Sequence, residues 1–244
     1  MAQYYDKSTL ELIMDFIGEF NIKDERSFKK QDIINWFNKK YPKIKNVTVQ
    51  CHLIKLSVNA PSRKHYSAHE DGRHDILYQV NGNTFKLYDK AKDIISNTGE
   101  KQPPVFDDEY GSQEFAYEKD LQNYLIKNLS VIESGLRLFE DDGISGVEYP
   151  VEGRFIDILA VDKKNNFVVI ELKVSKGYDR VVGQILRYKN WIKRNLAENG
   201  QNVRGMIICK EITDDLNLAC DGLDDIELFE YELSIKLHKK EISK

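Results

Sequence analysis

Three ionisable residues sit where apolar strands should be: Asp157 within GRFIDILAV (153–161), and Glu171 and Lys173 within FVVIELKV (167–174). Both runs are rich in Ile, Val, Leu and Phe, and the polar stretch Asp162 to Asn166 divides them, which is the pattern of a buried β-hairpin. Charges inside such strands carry a desolvation cost and so call for a reason. Side chains alternate across a strand, so Glu171 and Lys173 share one face while Ile170, Leu172 and Val174 take the other. Asp157 joins them only by pairing directly with Glu171. That register requires a connection of odd length, most simply the five residues Asp162 to Asn166, or else a bulge. Two carboxylates and an ammonium then meet at one spot. A hard cation such as Mg²⁺, or Mn²⁺ in its place, is held by one or two carboxylates together with water and phosphate oxygens. Asp157 and Glu171 are therefore candidate metal ligands, and Lys173 a candidate to orient or deprotonate water and to offset phosphate charge. The plain alternative is an ion-pair network without chemistry. The rarity of an acid and a Glu-x-Lys at this spacing, both inside apolar strands, favours catalysis.

The D-x13-E-x-K arrangement resembles the PD-(D/E)xK nuclease superfamily. The fuller string GRFIDILAVD, FVVIELKV and VGQILRY is similar to the C-terminal nuclease domain of the NucS/EndoMS family, over roughly residues 113–209. The resemblance implies that Asp157 and Glu171 bind the metal, that Lys173 is the catalytic lysine, and that Gln184 lines the active site. It also implies that a glutamate of the opening helix approaches the metal. Glu118, in Glu-Lys-Asp-Leu, is the candidate, with Glu114 one turn earlier as its rival and a solvated helix face as the plain alternative for either. One departure is Ile156, which stands where the superfamily's signature has proline. The reaction implied is hydrolysis of a DNA phosphodiester to a 5′-phosphate and a 3′-hydroxyl.

The elements that must position this site begin with an N-terminal domain, residues 1–95. Leu10, Ile13, Phe16 and Ile17 have helical spacing behind a capping box formed by Ser8 and Glu11. A second helix runs from about Lys29 to Lys40, stopped by Tyr41-Pro42. A third, Val47 to Val58, is read as capped by Asn46. Two alternating strands around Asn81-Gly82-Asn83 form a hairpin. Three helices followed by a hairpin predict a winged helix, whose third helix enters the major groove. Its outer face would offer Thr48, Gln50, His52, Lys55 and Asn59 to DNA, with Arg63, Lys64, His65 and Tyr66 in the loop beside it. The same arrangement also serves in protein interaction. His52, His65, His69 and His74 match no zinc spacing, and a polar DNA-facing loop accounts for them better.

Residues 96–112 read as a Gly-, Pro- and acid-rich linker. Residues 113–244 are the second domain: a helix from Gln113 to Leu129 with Leu121, Leu125 and Leu129 buried, a strand from Leu136 to Glu140, a flexible Asp141 to Gly146, and the central hairpin. A helix from Tyr178 to Ala197 follows, then a strand at Met206 to Cys209 that its crossover makes parallel. Arg180, Gln184, Arg187, Tyr188 and Trp191 share a polar and aromatic sector of that helix. Together with Arg154, Arg180, Arg187 and Tyr188 are candidates for DNA contact. Ile226 to Leu237 alternates as an edge or dimer-pairing strand would. The order αβββαβ with a mixed central sheet is the core of the resembled nuclease fold. The fold class is α/β, α+β overall.

The chain has 244 residues and a net charge of −4. Basic residues nevertheless exceed acidic ones in 1–95 and in 151–206, so phosphate binding is compatible with the whole. No apolar run is long enough to span a membrane and no secretion signal is read at the start. Three cysteines without a CxxC pair fit a reducing, cytoplasmic setting. The expectation is a Mg²⁺-dependent endonuclease acting on double-stranded DNA as a homodimer, first as a restriction-type enzyme with sequence or modification specificity. The second reading is a mismatch- or structure-specific repair nuclease like NucS. The N-terminal half does not resemble that family's own N-terminal domain. A DNA-binding regulator with a dead nuclease core is the third reading, opposed by the retention of Asp157, Glu171 and Lys173.

Overall fold

The computed structural model describes residues 4–23, 26–66, 68, 71–93, 112–177 and 180–233. The expected linker lies outside the described residues except for Ser112, as do His69 and the end of the expected C-terminal strand.

The first domain is built from α1 (Thr9–Glu19), β1 (Ser27–Lys29), α2 (Lys30–Lys40), α3 (Asn46–Leu56), a short 3₁₀ turn (Pro61–His65), β2 (Leu77–Asn81) and β3 (Thr84–Leu87). The capping box at α1 forms as predicted, with Ser8 N donating to Glu11 at 2.8 Å and Glu11 N donating to Ser8 Oγ at 3.3 Å. Lys45 rather than Asn46 occupies the N-cap of α3 and makes no side-chain cap. Leu12, Ile13, Phe16, Ile33, Phe37, Leu53 and Leu56 converge in the core. The three-residue β1 had no legible pattern; it pairs antiparallel with β3 and completes a sheet in the order β1-β3-β2.

The second domain contains α4 (Ser112–Lys127), β4 (Arg137–Leu138), β5 (Glu140–Asp141), β6 (Ile144–Ser145), β7 (Val147–Val151), β8 (Arg154–Val161), β9 (Phe167–Gly177), α5 (Arg180–Asn195), β10 (Val203–Ile212), α6 (Asp214–Cys220) and β11 (Ile226–Glu230). The main sheet runs β11-β10-β9-β8-β4, with β7 also on β8. It is mixed: β8 is antiparallel to β9, whereas β10 and β11 continue parallel to it. The pair Val161 with Phe167 leaves the predicted five-residue loop, and Ile158 lies opposite Ile170. Asp162 closes that loop by accepting from Lys164 N at 2.8 Å and Asn166 N at 2.9 Å. β7 is an addition to the predicted order. It returns to β8 through Glu152 and Gly153, at φ 46° and 81°, a turn in which both central residues need the left-handed region. Gly146, before β7, lies so close to the Leu159 carbonyl oxygen that a Cβ would collide with it.

Strand alternation divides the core in two. Leu159, Val169, Ile207 and Cys209 meet α5 on one face. Ile158, Val168, Ile170, Leu172 and Met206 meet Leu121 and Leu125 of α4 on the other. Both faces are covered, which is why β8 and β9 are nearly continuous apolar runs.

The two domains are packed together, and this corrects the prediction for α3. Its supposed recognition face lies against the β5–β6 turn. Thr48 Oγ1 donates to Asp141 at 2.7 Å, Lys55 Nζ donates to the Gly143 carbonyl at 3.0 Å, and Asp142 accepts from Thr9 N. His52, 2% exposed, has one ring nitrogen 2.9 Å from the Thr48 carbonyl and the other 3.1 Å from the Asp142 carbonyl. Asn59 is pinned to Gln79 by two hydrogen bonds. Arg63 donates to the Lys55 carbonyl and pairs with Asp75. His65 pairs with Glu148 and stacks on Phe155, and Tyr66 is buried with Val47 and Cys51 in the core on the α5 face. Of the expected DNA contacts in this domain, Lys64 is exposed and Gln50 half-buried. Polar side chains on an amphipathic helix suit an interface rich in carbonyl acceptors as well as they suit DNA. The residues 141–146, expected to be flexible, are the turn that supplies those acceptors.

Burial pushes the His52 pKa below its ordinary value, against the opposing pull of the Thr48 carbonyl and Asp142, while Lys55 adds to the depression. A histidine with a depressed folded pKa binds fewer protons folded than unfolded, so its contribution to stability is lost as pH falls below about 6.5. Thermal midpoints should therefore drop between about pH 7 and pH 5.5, and His52→Gln should flatten that slope. An equal slope in the variant would remove His52 as the cause.

Candidate active site

The ladder between β8 and β9 ends at Ile158 with Ile170, and Asp157 and Glu171 are the next residue on each strand. There the Asp157 carboxylate takes over the ladder's work, accepting from Leu172 N at 2.7 Å. Glu171 is fully buried, and neither of its carboxylate oxygens makes a hydrogen bond of ordinary geometry. Burial pushes its pKa well up, the neighbouring Asp157 carboxylate pushes further, Lys173 pulls down, and Glu118 again raises it. Asp157 is raised by burial too, against Lys173 and the Leu172 amide. Asp157, Glu171, Lys173 and Glu118 thus act on one another electrostatically, as the sequence pattern requires. The Glu114 side chain lies outside the described residues.

An orphaned, buried carboxylate next to a second one costs several kcal/mol if both are ionised and nothing cationic compensates. A divalent cation with oxygen preference answers that cost, so the donor set fits Mg²⁺. Among the described residues, no group of three or more His, Cys, Asp or Glu converges as a self-sufficient metal cage. Mg²⁺ sites typically need only one or two carboxylates, with water and phosphate supplying the rest.

The wall of the site on the α5 side is Gln184 and Tyr188. Gln184 Nε2 donates to the Tyr188 hydroxyl at 3.5 Å, and burial, with Glu171 next, pushes the Tyr188 pKa up to about 12. Tyr188, predicted as a DNA contact, is 2% exposed and belongs to the site's interior instead. Arg180 and Arg187 are exposed on the same helix, and Arg154 is half-buried where β8 opens.

Behind Asp157 runs a chain of contacts that the sequence did not signal. Gln122, 4% exposed on α4, donates from Nε2 to the Asp157 carbonyl at 2.7 Å. Lys119 donates to Gln122 Oε1 at 2.9 Å and pairs with Glu148, which pairs in turn with His65 of the first domain. Lys119 and Gln122 flank Leu121 on α4 and read as ordinary helix polarity. Glu148 sits in β7, the unpredicted strand, at φ 47°.

The raised pKa of Glu171 has a consequence for stability. Its folded form binds more protons than the unfolded chain, so the metal-free protein loses stability as pH rises above the ordinary carboxylate value of about 4.3. Glu171→Gln, which keeps the shape without the charge, should unfold at a higher temperature than the parent in EDTA, with the gap widening from about pH 5 to pH 8. A lower midpoint for the variant throughout that range would contradict the buried, uncompensated carboxylate.

Comparison with known proteins places these elements. Residues 117–232 match the family described as the endonuclease NucS C-terminal domain, and residues 8–87 match a domain of unknown function, DUF7669. The endonuclease NucS of Pyrococcus abyssi is 33% identical over 97 residues, 40% of this chain and 35% of that protein. The endonuclease NucS of Sulfolobus acidocaldarius is 33% identical over 127 residues, 52% of this chain and 46% of that protein. The chain thus spans less than half the length of these curated relatives. A solved repair endonuclease from Pyrococcus abyssi aligns at 24% identity and TM-score 0.38, covering 62% of this chain and 52% of that one, a likeness too distant to bear weight. Family match and relatives agree: residues 117–232 are similar to the C-terminal domain of the NucS endonucleases.

Proposed function

We propose that the chain is a Mg²⁺-dependent DNA endonuclease that recognises the structure of its substrate, as a repair nuclease does, rather than a restriction-type sequence. The observation that carries the reading is Glu171, buried and unsatisfied opposite Asp157 with Lys173 beside both. The restriction-type expectation rested on a free recognition helix, and α3 is instead occupied by the β5–β6 turn. The curated relatives are NucS endonucleases. The order α1-β1-α2-α3-β2-β3 is that of a winged helix, used here for docking to the nuclease domain.

In this reading Asp157 and Glu171 hold the cation, which when bound lowers the pKa of its water and neutralises charge on the scissile phosphate. Lys173 favours the charged form of both carboxylates against the burial that raises their pKa values, and it stabilises the growing negative charge of the phosphate. The Leu172 amide fixes one Asp157 oxygen and the Gln122 amide fixes its carbonyl, so the ligand is held from both ends. Gln184 and Tyr188 close the side next to α5 and keep bulk water from the carboxylates. A duplex cut on both strands calls for two such sites, and β11, at the edge of the sheet, is the surface we assign to a homodimer.

Plasmid, mismatched and branched DNA incubated with the protein in Mg²⁺, Mn²⁺ or EDTA tests the reading. Branched or mismatched DNA should be cut in either metal and intact plasmid spared. Asp157→Ala should lower the rate by at least about a thousandfold while DNA affinity changes little, because affinity rests on phosphate contacts elsewhere. Equal cutting of perfectly paired plasmid at fixed sequences would restore the restriction reading. Undiminished cleavage by Asp157→Ala would remove the site.

A further inference from the structure

Between the two domains, on the side of α3 away from the β5–β6 turn, lies a cleft of about 670 Å³. Its walls come from both domains. Lys30, Lys45 and Gln50 enter from α2 and α3, while Phe155, Trp191 and Arg194 enter from β8 and α5. Among the described residues, Lys30, Lys45 and Arg194 make no ion pair, and all three line the cleft. Trp191 is half-buried and held by its indole N–H, which donates to Glu152 at 3.2 Å. Three cations outnumber the one carboxylate of the cleft, Glu152, and with the partly exposed, oriented indole they make a surface suited to a phosphate attached to a flat, uncharged ring.

The cleft is also connected to the candidate active site. Phe155 lies two residues before Asp157 on β8. Trp191 follows Tyr188 by three residues on α5, one turn along the same side of the helix. A ligand in the cleft therefore lies one helical turn from the Tyr188 wall of the candidate active site. Its volume is that of a small-molecule pocket and suits a single nucleotide, not a base-paired segment.

We infer that this cleft binds one unpaired nucleotide of the DNA strand being cut, its base against Trp191 and its phosphate between Lys45 and Arg194. This deepens the endonuclease reading and rests on it. It gives the first domain a role other than reading base edges with α3: docking α3 on the nuclease domain brings the α2 and α3 ends opposite α5 and completes the cleft. Gln50, the one residue of the predicted reading face left facing this space, supplies an amide that can meet a base edge.

The test uses the full chain in EDTA, where nothing is cut. Anisotropy is measured with a labelled single-stranded oligonucleotide, with a blunt duplex of the same sequence, and by competition with a deoxynucleoside monophosphate. The single strand should bind more tightly than the duplex, with an affinity that falls steeply with salt. Lys45→Ala combined with Arg194→Ala should weaken it roughly tenfold with an unchanged thermal midpoint, and Trp191→Leu by a similar factor. Unaltered strand affinity in the charge variant, or tighter binding of the duplex, overturns the inference. So does competition by the mononucleotide at the oligonucleotide's own concentration, which would make the cleft a free-nucleotide site. If the strand binds through these residues and Mg²⁺ still produces no cleavage, the endonuclease reading falls and the cleft stands.

Discussion

Two carboxylates facing each other on a dry sheet face set the terms for the rest of this protein. Asp157 and Glu171 cannot both be ionised there without help, and the surroundings supply it in graded amounts. The Leu172 amide serves one oxygen of Asp157, and Lys173 serves both acids through space. Among the described residues, Glu171 makes no side-chain hydrogen bond of ordinary geometry, and only the Asp157 backbone favours its charge locally. A wholly structural ion-pair network would be expected to satisfy its most buried member first, because that member has the most to lose. The distribution found here is the reverse, with the deepest carboxylate the least satisfied. On the proposed reading, the missing partner is the cation that Asp157 and Glu171 would hold.

The same logic explains why β8 and β9 can tolerate these charges at all. β9 lies between β8 and β10, both faces are covered by helices, and apolar residues close around the acids on every other position. Such a frame cannot relax to let water in, so the acids keep their raised pKa values. The cost of the site is offset by two extensive cores, which also means that variants neutralising an acid act on stability and on chemistry in opposite directions.

Much of this was legible from residues alone. The five-residue loop, the parallel β10 and the capping box at Ser8 all follow from period-two or period-3.6 patterning, which local sequence states directly. What escaped has a common cause. Helical patterning separates polar from apolar faces and does not say whether the polar face meets solvent, DNA or another domain. Thr48, His52 and Lys55 are polar because they meet the carbonyls of residues 142 and 143 and the carboxylate of Asp141. β7 escaped because Val147, Tyr149 and Val151 alternate over only five residues and Pro150 within them argues against a strand. Its partner Gly153 signals the turn but not the strand before it. With β7 unseen, Glu148 could not be linked to Lys119 or His65.

That link bears on how the domains act together. His65 belongs to the first domain, yet its partner Glu148 also holds Lys119, which holds Gln122, which holds the backbone of Asp157. Each step is a charge-assisted or buried hydrogen bond, and Gln122 has no solvent to fall back on if its neighbours move. The first domain is therefore joined to a candidate metal ligand by an unbroken chain of direct contacts. The Phe155 ring under His65 adds a second path along β8 itself, ending two residues away at the same carboxylate. The first domain's polar α3 face and His65 thus have a structural role at the site's back wall that requires no contact with a base.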